Sequence, residues 1–200
     1  QTNTRGLMTV IIYFKPRKEL EAAENVRAFV EMARNRLTAF GDDLDFDSHI
    51  WDVTGHFKTR GKKTSAKQRI LFIRHRKNWL LEAIPLSDPF CSFAKAYMRY
   101  SYSLKPFVSH GHAISALAAL EEVLVESFGE SAIELANGDI FYRTASLIQS
   151  RYNNSAYNIS RHLQKISQFC TEHYLFSTPV QWETPIKLPT FGVRTGIEAE

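Results

Sequence analysis

Cysteine is scarce in this 200-residue chain, with only Cys91 and Cys170. A small secreted domain held by disulfides carries more, so a disulfide scaffold is excluded. Both cysteines read as small buried hydrophobes in a reducing compartment. Long apolar runs are missing too. None approaches the ~18–20 residues of a membrane helix, and the opening Gln-Thr-Asn-Thr-Arg-Gly lacks the apolar core of a signal peptide. A soluble, cytoplasmic protein without membrane contact is expected. Catalytic signatures are also lacking: there is no P-loop, G-x-G-x-x-G, G-x-S-x-G or H-E-x-x-H. His110-Gly-His112 is the one close histidine pair, and residues two apart do not share a helix face, so neither a metal site nor a cofactor is expected. Asp42, Asp43, Asp45 and Asp47 alternate, but the glycine and closing glutamate of a calcium loop do not follow, and they read as a solvated loop.

The most informative absence is of acid. No Asp or Glu lies between Asp52 and Glu82, while nine of the 25 Lys and Arg do. The rest of the chain holds 16 basic residues against all 21 acidic ones, so the net charge of +4 conceals a slightly acidic body with one strongly basic segment. A surface built only for solubility interleaves both signs. Lys58, Arg60, Lys62, Lys63, Lys67 and Arg69 are therefore candidate contacts to nucleic-acid phosphates, which cations neutralise with release of counterions. Against this stands the plainer reading of a charged hairpin tip that discourages edge-to-edge aggregation.

The 14 Phe, 8 Tyr and 3 Trp supply ample core. Met8–Phe14 is β-branched and aromatic and predicts a strand. An apolar stripe from Ala22 to Leu37 predicts a helix over Glu19–Phe40, with Gly41 just past its end. His49–Thr54 and Gln68–His75 predict a hairpin whose tip carries the lysines. From Leu86 onward the pattern is helical. Asp88-Pro89 opens a helix over Phe90–Leu104. Ser109 is placed to cap His112–Phe128, which Gly129 closes. Ile133–Leu135 reads as extended, Asn137-Gly138-Asp139 opens a helix over Ile140–Arg151, and the last helix runs from Ala156 to about Tyr174. The fold class is thus α+β. A small N-terminal α/β domain (strand-helix-strand-strand, residues 1–85) precedes an all-α domain (86–176) and a proline-containing tail (177–200) that reads as a linker or extended arm.

A second polar cluster opens the last helix. Asn158, Arg161, His162 and Lys165 recur at three- and four-residue steps and share a face, with Arg151, Asn154 and Ser155 just before them. Asn and Arg at a helix start suit base edges and phosphates, and the same pattern also describes an ordinary solvated face.

Ile133-Glu-Leu135, Asp139 opening a helix, Arg151, the Asn/Ser turn and the helix ISRHLQKISQFCTEHYLF together resemble the core-binding domain of phage-integrase-type tyrosine recombinases. Gln181-Trp182-Glu-Thr-Pro185-Ile186-Lys187 and Arg194-Thr-Gly-Ile-Glu198-Ala-Glu200 look like the segment that joins that domain to the catalytic domain in long integrases. The resemblance covers roughly residues 90–200, and its motifs are loose and helical. It implies a four-helix, SAM-like domain clamping duplex DNA, with other recombinase protomers as possible partners. It also implies a catalytic domain beginning after residue 200, so this piece by itself would not be an enzyme while its parent would. Two other readings stay open. One is a single-stranded nucleic-acid or RNA binder that stacks bases on Tyr13, Phe57 or Phe72. The other is a protein-interaction module using the helical half.

Overall fold

Ala22, Val26, Phe29 and Ala33 form the buried stripe of α1 (Ala22–Arg36) in the computed structural model, which describes residues 11–57, 67–76, 78, 80–107 and 109–188. Glu21 and Glu24 close a capping box at its start, each side chain accepting from the other's backbone amide. The helix stops at Arg36, short of the Phe40 its period predicted. Leu37 turns extended and buries its own side chain, and the chain then reverses through Phe40 (φ 67°) and Gly41 (φ 104°). Gly41 is therefore a turn residue and not a helix cap, and a Cβ there would stand 2.8 Å from Asp43 Oδ1.

The open carbonyls of that helix end are met from outside. Arg99, nearly fully buried, donates to the carbonyls of Ala33 (3.5 Å), Arg34 (3.3 Å), Ala39 (3.0 Å) and Gly41 (3.1 Å). Arg99 lies on α2 (Phe90–Leu104), whose bounds match the sequence expectation. Phe29 adds the apolar half of the joint, with ring centroids 5.1–6.2 Å from Phe14, Phe93, Tyr100 and Phe169.

The expected hairpin is present as β1 (Ile50–Asp52) and β2 (Arg69–Leu71), paired antiparallel with Trp51 opposite Ile70. Alternation puts Trp51, Val53, Ile70 and Phe72 inward, where Trp51 packs on Phe40, Phe46 and Phe72. The strand predicted over Met8–Phe14 is not found in its described part. Ile11–Phe14 has no sheet partner; Ile11 and Tyr13 face solvent, and Phe14 alone is buried, its amide donating to Tyr100 Oη. A β-prone run without a neighbouring strand must find other backbone partners, as the Phe14 amide does on Tyr100.

The helical half follows as α3 (Gly111–Phe128), α4 (Gly138–Arg151) and α5 (Ala156–Glu172), packed mutually, while α2 packs chiefly against α1. Gly129 closes α3 at φ 75°, as its position predicted, but no side chain caps the start of α3 and His110, not Ser109, stands there. Ile133–Leu135 is a single 3₁₀ turn and not extended. Asn137 caps α4, its Oδ1 accepting from the Ile140 amide, so that helix begins two residues earlier than expected. The tail is no free linker up to residue 188. Val180 and Trp182 are buried, Trp182 packs on Phe141 and Tyr142, and Thr184 donates to Ser160. The buried apolar cluster runs from Phe14 to Trp182 without a break at residues 85–86. Among the described residues no helix is long and apolar enough to cross a membrane.

Because Arg99 satisfies four carbonyls at once, Arg99→Met should lower stability by about 2–3 kcal/mol. Urea unfolding should show it as a reduced midpoint, with the main loss in the α1–α2 joint by amide exchange.

Candidate nucleic-acid interface

Past β2 the chain meets the segment before α2: Ile73 bridges Pro85, and the Arg74 amide donates to the Ile84 carbonyl (2.8 Å). This basic strand is bound to α3 by one carboxylate. Glu121 is fully buried and takes a two-pronged contact from Arg74, at 2.8 Å (Nε) and 2.7 Å (Nη2). The Ser87 amide (3.1 Å) and hydroxyl complete its shell. Next to it, Glu122 receives a second fork from Arg151, at 2.8 and 2.6 Å. The Arg151 contact holds the Glu122 carboxyl below its usual range.

A cleft of about 390 Å³ opens between this strand and α3. Arg69, Arg76 and His110 lie along it, with Gly111 of the first turn of α3 on its wall and His75 and Tyr152 at one side. Tyr152 Oη and His75 Nδ1 are 3.1 Å apart. Burial, and then the Arg151 charge, push the His75 imidazole below its usual range.

The first turn of α3 is the hinge between the two polar clusters that the sequence showed separately. His110 Nε2 donates to the Arg69 carbonyl (3.0 Å), which ties that turn to the hairpin. His112 faces His162 of α5, ring centroids 6.3 Å apart. Two histidines at i and i+2 thus reach opposite sides, and the uncapped, electropositive end of α3 lies between the basic strand and α5.

The thirteen candidate contacts fare differently. Lys58, Arg60, Lys62 and Lys63 lie outside the described residues. Lys67 and Arg69 are exposed on the hairpin. Asn158, Arg161 and Lys165 are exposed along α5, and Asn154 is exposed in the preceding turn. Ser155 is half-buried at the helix start and makes no cap bond. Arg151 is engaged by Glu122, so its charge is balanced within the protein. His162 is half-buried; burial first, then Lys165 and His112, push its imidazole down to about 4. It is neutral at pH 7 and offers a hydrogen bond there, not a cation. Arg74, His75, His110 and Tyr152 were not singled out as contacts. The signal for the first two was present in the acid-free run, which extends through them.

Neither cysteine is set up for nucleophilic chemistry. Cys91 Sγ lies 3.6 Å from His49 Nδ1, but burial pushes the thiol up to about 11, so it is not a ready nucleophile, and Cys170 is fully buried. Phe57 and Phe72 are buried among other rings and cannot stack on bases; of the three aromatics considered for that role only Tyr13 is exposed. Asp47 is turned to Arg34 at 2.8 Å. Comparison with protein families, curated proteins and solved structures finds no match to this chain.

Two outcomes are expected. Glu121→Ala leaves Arg74 without its partner and should cost about 3–5 kcal/mol, read by urea unfolding. His162 binds a proton less readily folded (about 4) than unfolded (6.5). Its contribution is therefore intact above pH 6.5 and is lost as pH falls toward 4. His162→Gln should flatten the stability–pH curve across that window, measured by thermal unfolding at stepped pH.

Proposed function

We infer that this chain is the DNA-binding N-terminal region of a tyrosine recombinase, holding duplex DNA for strand exchange by a catalytic domain elsewhere in the parent protein. The observation that carries the reading is the junction at the first turn of α3. There the basic hairpin (through His110) and the polar face of α5 (through His112) meet around an uncapped helix start. In this reading α2–α5 form the SAM-like core-binding unit, and the mutual packing of α3, α4 and α5 supports it. The hairpin is a second contact to the same duplex or to flanking DNA.

The work divides by residue. Lys67 and Arg69, with the cations that precede them in sequence, neutralise backbone phosphates and set affinity. Amides at the start of α3 point toward the same region and favour a phosphate oxygen. Asn158 and Arg161 have the donor and acceptor geometry for base edges, with Lys165 as a phosphate contact. Arg74 and Arg151 position the elements by their glutamate pairs and contribute no free charge. Strand-exchange chemistry is assigned to no residue of this chain. Stacking of single strands is disfavoured because Phe57 and Phe72 are buried.

Binding to duplex DNA across a salt series tests the reading. Each phosphate contact adds about −0.9 to the slope of log K against log salt, so reversing Lys62, Lys63 and Lys67 to Glu should flatten that slope by roughly 2–3. Absence of binding at low salt, or a wild-type slope near zero, would contradict it.

A further inference from the structure

The basic strand does not end at the cleft. It runs on toward an apolar tip between Ile73 and Pro85, which bridge one another. Leu80, Leu81 and Ile84 are 68%, 54% and 56% exposed, large side chains held in water by a protein that buries most of its others. The Leu80 amide donates to Asn78 Oδ1 (3.0 Å) and the Leu81 amide to the Asn78 carbonyl (3.1 Å). The Arg76 guanidinium donates to the Leu81 carbonyl (3.2 Å), so a cleft-lining cation also braces the apolar point.

Exposed apolar side chains gathered at one place mark a contact surface. Their approach decides what they contact. The strand leading to them carries Arg69 and Arg76 on either side of the Glu121-paired Arg74, and no acidic residue precedes them back to Asp52; Glu82 is the first after the tip. Leu80 lies four steps along the chain from Arg76, a reach of about 14 Å at most, so phosphates at the cleft and the leucines lie within the span of one duplex. Cation-flanked exposed leucines are a combination that opens a base step, where an apolar wedge enters the groove and the duplex bends away.

We propose that Leu80 and Leu81 form a wedge that enters a groove of the bound duplex and unstacks a base step, bending the DNA over the basic cleft. This rests on the DNA-binding reading above and adds to it a deformation of the ligand. Arg76 is a positioning residue in it, and Ile84 supports the wedge from the returning strand.

The test uses the full chain and duplexes of mixed sequence, with a fluorophore at each end and 2-aminopurine placed at successive steps. Wild-type protein should bend the duplex by about 20–90° and raise 2-aminopurine emission at one position. The double variant Leu80→Ser, Leu81→Ser changes only exposed side chains. It should keep its melting temperature and the salt slope of binding, lose the bend and the emission, and bind about tenfold more weakly. Binding by wild type without bend or emission overturns the wedge and leaves the DNA reading standing. No binding at low salt overturns both. A variant that bends DNA like wild type overturns the wedge. So does one whose only change is loss of self-association in sedimentation, which would make the tip a protein contact.

Discussion

The buried Glu121 carboxylate is the constraint on which the candidate interface depends. A charge withdrawn from water costs several kcal/mol unless donors surround it. Here Arg74 comes from the strand after β2 and Ser87 from the segment before α2, so the charge is balanced only when the hairpin, the start of α2 and α3 are all in place. Successive residues of a helix point about 100° apart, and Glu122 therefore faces another neighbour, Arg151 at the end of α4. Two adjacent glutamates fix the basic strand on one side of α3 and α4 on the other.

That arrangement also sorts the cations. Arg74 and Arg151 serve the fold, Arg99 ties α2 to the end of α1, and Lys95 is buried with its Nζ on the Asp47 carbonyl. Lys67, Arg69, Arg161 and Lys165 are among the charges left facing solvent, on the hairpin and on α5, the two elements that contacts of His110 and His112 join at the first turn of α3. Between them, His110 and His162 are both held below their usual range by burial. A polyanion would thus meet fixed cations around a helix start, with its position set by the glutamate pairs behind them.

Some of this could be read from the residues. The hairpin followed from alternation in HIWDVT and QRILFIRH, and α2 and α3 from Asp88-Pro89 and Gly129, because those signals are local. The exposed face of α5 followed from three- and four-residue spacing. What could not be read depends on contacts distant in sequence. Nothing local links Glu121 and Glu122 to Arg74 and Arg151, which reach them from 47 and 29 residues away. Met8–Phe14 has the composition of a strand but no partner for Ile11–Phe14. The tail packs Val180 and Trp182 in extended form, which leaves no period to detect. Nothing in the sequence pattern indicates that Leu80 and Leu81 stand in solvent; that follows only from the folded chain.

The central claim is that the hairpin and α5 face the same duplex across the first turn of α3. Titration of isotope-labelled protein with a short DNA duplex, followed by amide chemical shifts, addresses it directly. The account predicts that Arg69, Gly111, His112, Arg161 and Lys165 shift together along one binding curve. Shifts confined to the hairpin, or centred on the α1–α2 face, would contradict it.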